Sequence, residues 1–385
     1  MTPLLDAAGA THRILHRDPY AYSAHAQVAA AANGDWVVVF NKAPRRAVIL
    51  HPPQDPEFRN VVIRSSDRGE TWSSPEVAPN YDWGGTECAS LTLLSDGRLM
   101  LNQWRFRWFP LGMARRVAGD SVGGGPLGPL RFPADLARGL APSPELDSGK
   151  ALLDAPERYM PWVRGDGQTW VHFSEDNGQS WAFSHRIETA PYAGGYGMRG
   201  ACQLPNGHLL LPLSDIPNYR TVFVVRSADG GREWGRPVQV ASKAGSEFEE
   251  PSLIRLPSGR LLMHLRDNGT RRLHQCVSDD DGNGWSEPRA LPIEGYPPHL
   301  LLLPDGRILC TVGWRQPDFG IRAVLSSDGG ESWDVDGTIR IRGGLPNKDL
   351  GYSCTLLDSD GALFTVYYGQ DADGVTCIWG TRWRL

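Results

Sequence analysis

The sequence predicts an all-β fold: a ring of six four-stranded antiparallel blades closed into a propeller. Three observations predict it. The form S-x-D-x-G-x-x-W occurs five times, as SSDRGETW (65–72), SEDNGQSW (174–181), SADGGREW (227–234), SDDDGNGW (278–285) and SSDGGESW (326–333). A turn glycine followed by an apolar run occurs six times, at Gly34, Gly97, Gly207, Gly259, Gly306 and Gly361. The last unit stops after VTCIWGTRW, one strand short, while THRILHR near the start has no unit of its own.

The stretch from Glu250 to Trp285 shows the plan of one unit. A short apolar run (Leu253 to Leu256) turns at Pro257-Ser258-Gly259, and a second run from Leu261 to Leu265 ends at Arg266. After a polar loop, a third run reaches Ser278 and closes with Asp280, Gly282 and Trp285. Three short strands joined in this way make most of a four-stranded antiparallel sheet. In each Asp turn the carboxylate accepts turn amides and the glycine takes a positive φ, while the tryptophan packs beneath. These Asp and Trp residues are therefore structural and stand apart from any catalytic set.

The second unit carries an insertion, from about Trp108 to Gly167, rich in Gly and Pro (GDSVGGGPLGPLRFPADL, LAPSP). It reads as a long loop with little regular structure, opening on the same end as Arg105, and QTWVHF then resumes the unit. THRILHR supplies the missing outer strand of the sixth blade, which removes an open sheet edge. An open solenoid would need capping repeats, and none is present. The whole chain, 1–385, thus reads as a single domain.

Composition narrows the function. A net charge of −5 lacks the basic excess of a nucleic-acid or anionic-membrane binder. No apolar run reaches the roughly 20 residues of a membrane span. The first residues lack the basic and apolar regions of a signal peptide, so a cytoplasmic location is expected. The six cysteines stand singly, without a CxxC pair, and read as buried reduced thiols. No metal and no cofactor are expected: there is no HExxH, EF-hand loop or phosphate loop, and His12, His16 and His25 lack ligand spacing.

In a propeller the innermost strand starts near the axis and the next strand returns to the same end. Nine residues before each turn glycine stand His25, Cys88, Met198, Glu250, Pro297 and Tyr352, with Glu87, Arg199, Glu249 and His299 beside them. The returning strands bring Asn41, Arg105, Asp215, Arg266, Asp267, Arg315, Tyr368 and Gln370. Polar and ionisable residues at matched register are not what packing selects, and they point to a site at one mouth.

The Asp turns, the six units and the residues of blades four and six resemble the sialidase (neuraminidase) superfamily. In that family a Glu opening the inner strand of blade four is followed, after the turn, by an Arg ending the next strand; Glu250 and Arg266 match. A Tyr in a Tyr-Ser context precedes the sixth turn; LGYSCTLL places Tyr352 there. The resemblance implies that Glu250 deprotonates Tyr352, that Tyr352 attacks the anomeric carbon, and that Arg266 binds a substrate carboxylate bidentately. Departures exist. The family's first Arg, in an Arg-Ile-Pro motif, is replaced by Ala24 and His25 in AHAQV. At the register of the family's acid/base Asp stands Asn60, with Asp55 and Glu57 upstream, and the third Arg is either Arg315 or Arg322.

Three functions are compatible with this reading. One is an exo-acting glycoside hydrolase on a terminal acidic sugar, with Tyr352 and Glu250 as the nucleophile pair and Asp55 or Glu57 as acid. Arg266, Arg315 and Arg105 would hold the carboxylate, and Arg199, Glu87, His299 and Tyr368 would line the substrate site. Another is a uronate-type lyase in which His25 or Tyr352 abstracts the proton beside a carboxylate neutralised by an Arg. The third is a non-catalytic glycan-binding propeller. The expected partner is a carbohydrate, with no nucleic acid and no membrane; the sugar, linkage and oligomeric state are left open.

Overall fold

The computed structural model describes residues 4–45, 57–79, 84–110, 130–131, 162–165, 167–216 and 219–385. Among them every regular element is a β-strand, and the strands form six sheets arranged as the blades of a propeller. Blade one comprises Ala21–Ala30, Trp36–Pro44, Arg59–Ser65 and Glu76–Val77. Blade four, the most regular, comprises Phe248–Arg255, Leu261–Asp267, Arg272–Ser278 and Arg289–Glu294. In blade three the inner strand is split into Gly194–Tyr196 and Cys202–Gln203, both paired with Leu209–Ile216. The ring closes where Gly351–Leu357 of blade six packs against Ala21–Ala30 of blade one.

Burial explains the strand patterns. Each second strand lies inside its sheet with a neighbouring blade on either face, so it is apolar without alternation: Val37 to Phe40, Leu209 to Leu211 and Leu261 to Met263 are all fully buried. Third strands such as Arg59–Ser65 and Arg272–Ser278 expose more of their ends. The core is therefore divided into clusters between adjacent blades, such as Leu210, Val224, Leu261 and Met263 between blades three and four.

The Asp turns repeat one hydrogen-bond pattern. In the first, the Ser65 hydroxyl donates to Asp67 (2.7 Å) and accepts the Gly69 amide (2.8 Å), and Asp67 also accepts the Thr71 amide (2.9 Å). Gly69 has φ +85°, and a Cβ there would lie 3.0 Å from the Trp36 ring, so both conformation and space require glycine. All six cysteines are free, and all but the half-buried Cys202 are buried.

Ala8–His16 pairs antiparallel with Thr376–Arg384 as the outer strand of blade six, which closes the ring as expected. An unanticipated extension follows: Leu5–Asp6 crosses to blade five, parallel to Ile339 and Arg340, and Arg340 holds Asp6 through Nε (2.7 Å) and Nη2 (3.0 Å). Two residues carry no periodicity that a sequence reading could detect. The insertion leaves at the end of Leu99–Pro110 and returns through Trp162–Gly165, which pairs with Trp108–Pro110 beyond Arg105. Both of its ends thus emerge at the mouth; most of it, and Asp55, lie outside the described residues.

Candidate active site

The residues nine before the turn glycine are set by a repeated bulge. In blades one, two, four and six, two residues of the inner strand oppose one of the second: His25 and Ala26, Cys88 and Ala89, Glu250 and Pro251, Tyr352 and Ser353. The first of each pair has positive φ: His25 56°, Cys88 53°, Glu250 53° and Tyr352 52°. A non-glycine residue held there costs on the order of 1 kcal/mol or more, and such strain concentrates at functional sites. A bulge re-aims its side chain, and here four of them turn toward the axis at one level.

Three of the four converge. The Tyr352 hydroxyl donates to Glu250 Oε1, and Arg266 Nη1 donates to Glu250 Oε2 at 2.7 Å. His25 stacks on the Tyr352 ring, with centroids 3.7 Å apart and planes at 26°. Arg315 lies near the same ring, its guanidinium carbon 5.7 Å from the centre of the Tyr352 ring, with its Nε on the Leu350 carbonyl (3.0 Å). Arg266 and Arg315 both lie over Tyr296, at 4.2 and 5.3 Å. Arg315 Nη2 is buried without a hydrogen-bond partner among the described residues. Arg266 is more committed: Nη1 goes to Glu250 and Nε to Asn268 (2.7 Å).

Charge follows from this geometry. Burial pushes the Glu250 carboxyl upward, but Arg266, the Tyr352 hydroxyl and Arg315 outweigh it and hold Glu250 below the usual carboxylate range. Glu249 goes the other way, raised by burial and by Glu250, although Tyr196 (2.5 Å) and Asn268 both donate to it. Burial and the Glu250 charge raise the Tyr352 phenol well above 10, against the pull of Arg266 and Arg315. At neutral pH the pair is therefore a protonated tyrosine donating to an ionised glutamate.

Other residues of the expected set make contacts of their own. Glu87 is buried, with Oε1 3.7 Å from His25 Nδ1, which also meets the Asn41 amide at 3.0 Å. Asn60 donates to Asn41 (2.6 Å), so the register of the family's acid holds an amide in a buried chain. Tyr368 is buried, its ring edge-on to His25 at 5.5 Å. Arg105 stacks on Trp170 of its own blade, 4.5 Å from the ring centre.

Arg199 lies deeper than the cluster instead of lining the mouth. It ties three blades across the axis, with Nε on the Pro298 carbonyl (2.9 Å) and Nη1 on Gln27 (2.6 Å). His299, which accepts the Thr355 amide at 3.3 Å, is kept neutral by burial and by the Arg199 charge. Arg322 stacks on Trp314 at 3.6 Å, and Arg315 is the one beside Tyr352. Asp215 and Asp267 accept loop amides, from Arg220 and Thr221 in one case and Glu247 and Gly269 in the other.

Sequence reasoning passed over Tyr196, Asn268, Tyr296 and Asp349. The first three stand within two residues of a register position already singled out, and Asp349 is three before Tyr352. A wider window around each register would have found all four. Among the described residues, no group of three His, Cys, Asp or Glu side chains is arranged to hold a metal ion.

Comparison with known proteins places the fold. A protein of unknown function from Dyadobacter fermentans superposes with a TM-score of 0.78 at 21% identity, over 98% of this chain and 99% of that one. The intramolecular trans-sialidase from Ruminococcus gnavus, solved with oseltamivir carboxylate, gives 0.65 at 17% identity, over 98% of each chain. An α-L-arabinanase from Penicillium chrysogenum, solved with arabinobiose, gives 0.61 at 14% identity, over 96% and 97%. At these identities the likeness is one of fold. No curated protein matches the sequence. Residues 159–365, more than half of the chain, match the family described as a BNR repeat-like domain, and the chain belongs to that family.

Proposed function

We propose that the protein is an exo-acting glycoside hydrolase that releases a terminal sugar bearing a carboxylate, with Tyr352 as nucleophile and Glu250 as its base. The observation that carries this reading is the buried Tyr352–Glu250–Arg266 chain, in which the tyrosine hydroxyl donates directly to an ionised carboxylate. As the phenol oxygen attacks the anomeric carbon its proton passes to Glu250, and the glycosidic bond breaks with retention through a glycosyl-tyrosine. Arg266 and Arg315 offset the negative charge that develops on the phenol oxygen. Arg315 Nη2 has no partner among the described residues and is a donor that a substrate carboxylate needs, with Arg266 close by to supply a second. A neutral tyrosine suits such a substrate, because an anionic nucleophile would be repelled by it.

The carboxylate preference separates this site from one for neutral sugars. The Ruminococcus protein was solved with a carboxylate ligand and the Penicillium protein with a neutral disaccharide, so the shared fold does not decide the substrate. The arginine pair supports an acidic one.

A fluorinated glycosyl fluoride of an acidic sugar, which traps glycosyl-enzymes, tests the reading. Peptide mass spectrometry should find the label on Tyr352. Tyr352→Phe should lower kcat by on the order of 10³-fold or more, since the nucleophile is lost. Undiminished turnover by that variant would remove the mechanism. The stacking of His25 on Tyr352 favours one competitor, β-elimination from a uronate with His25 as base. That reaction would yield an unsaturated product absorbing in the ultraviolet and no trapped tyrosine.

A further inference from the structure

The geometry points to Asp349 as the acid/base that works opposite Tyr352, a role that rests on the hydrolase reading. Asp349 stands between blades five and six, three residues before Tyr352, in a tightly held segment. Its amide donates to Asn347 (2.9 Å), Asn347 donates to Gln370 (2.7 Å), and Arg315 binds the next carbonyl, that of Leu350 (3.0 Å). The carboxylate is oriented from both sides: the Tyr22 and Tyr368 hydroxyls each donate to Oδ1 at 3.0 Å. Oδ2 is withdrawn from water and has no hydrogen-bond partner among the described residues. A buried carboxyl oxygen left without a partner is unfavourable; protonated, it would present its O–H to an arriving glycosidic oxygen, and ionised it would accept from the water of the second step.

Its position fits the role. Tyr22 precedes His25 on the first strand of blade one, on the mouth side of it, and Tyr368 pairs with Gly351. The Tyr368 ring is 6.0 Å from the Tyr352 ring and its hydroxyl reaches Asp349, so the carboxylate is one tyrosine ring away from the nucleophile, toward the mouth. A leaving group must depart on that side if its sugar is attacked by Tyr352 from within. Asn60, at the register where the resemblance expects an acid, is a neutral amide with no acidic proton to give and is bonded to Asn41.

The chemistry balances. In the first step the Asp349 carboxyl gives its proton to the glycosidic oxygen as that bond breaks, Tyr352 bonds the anomeric carbon, and the tyrosine proton moves to Glu250. In the second step the Asp349 carboxylate takes a proton from water as the hydroxyl adds to the anomeric carbon. The bonding pair returns to the phenol oxygen, which regains its proton from Glu250.

The test uses the full-length protein with two glycosides of the same acidic sugar, one with a nitrophenol-type leaving group and one with a sugar alcohol. Asp349→Asn should lose on the order of 10²- to 10⁴-fold on the sugar alcohol, which needs a proton. On the nitrophenyl glycoside it should show a burst followed by slow turnover, because bond cleavage no longer needs the acid but water attack still needs the base. Azide, a nucleophile that needs no base, should accelerate that slow phase and give a glycosyl azide. Equal loss on both substrates without azide rescue would make Asp349 structural and overturn the assignment. The same rescue pattern in Asp55→Asn, and not in Asp349→Asn, would also overturn it. Should Asp349→Asn fail to fold, Asp349→Glu keeps a carboxyl near the same tyrosines. It should then favour the nitrophenyl substrate over the sugar alcohol more than the native protein does; an unchanged ratio would overturn the role. Tyr352→Phe is the control for the underlying reading: it should show no burst with either substrate, and full activity there would remove that reading and this one together.

Discussion

Lowering the pH from 7.5 to 5.5 should destabilise the fold through two buried histidines. His172 accepts from the Gln103 amide nitrogen at 2.9 Å and meets the Ser184 hydroxyl at 2.6 Å. His264 donates to Gln275 at 3.1 Å and faces the Cys310 sulfur at 3.5 Å. Both rings are fully buried. Burial, with the charges of Arg105 and His185, holds His172 at about 3; burial, with Arg289 and against the Gln275 bond, holds His264 at about 3. Both values are below the unfolded value of about 6.5, so between those limits the unfolded chain binds more protons and stability falls as pH falls. One unit below 6.5 each histidine contributes a loss of about 1.4 kcal/mol, or about 3 kcal/mol for the pair at pH 5.5. His299, His16, His12 and His274 are lowered and act in the same direction, so the pair gives a lower bound on the histidine effect, while Glu249, raised, opposes them. Urea unfolding followed by tryptophan fluorescence at the two pH values measures the difference, and His264→Gln should shrink it by about 1.4 kcal/mol. Equal stability at both pH values, within about 1 kcal/mol, would refute the reasoning.

Two other outcomes follow from the structure. Arg315→Met removes a guanidinium whose Nη2 has no partner among the described residues, so it should raise KM for an acidic substrate by roughly 10-fold or more while leaving the fold intact; Michaelis kinetics against a neutral glycoside control would show whether the loss is specific to the carboxylate. Deleting residues 1–16 should open the edge of blade six and expose the core that Leu15 and Ala10 cover. A loss on the order of 3 kcal/mol or more is expected, read as a lower urea midpoint or as aggregation.

The sequence by itself determined the architecture, because each unit carries its own local instructions. An Asp turn needs only its serine, aspartate and glycine, and a strand between two blades needs an apolar run such as Leu261 to Leu265. Repetition of these local signals set the number of blades and the register that singled out His25, Glu250 and Tyr352. The tertiary structure decided what those registers do. Positive φ at Glu250 and Tyr352 is unfavourable for the residues themselves and exists only because paired strands on either side impose the bulge. The same holds for charge: Glu249 and Glu250 are neighbours of one residue type, yet one is raised and the other lowered, according to which lies against Arg266, Tyr352 and Arg315. Arg199 and Arg315 are likewise both expected from the sequence at the mouth, as ligands of the substrate. One became a strut across the axis and the other a cation beside Tyr352, because the depth of a side chain along the axis is set by how six blades meet, not by any residue near it in the chain.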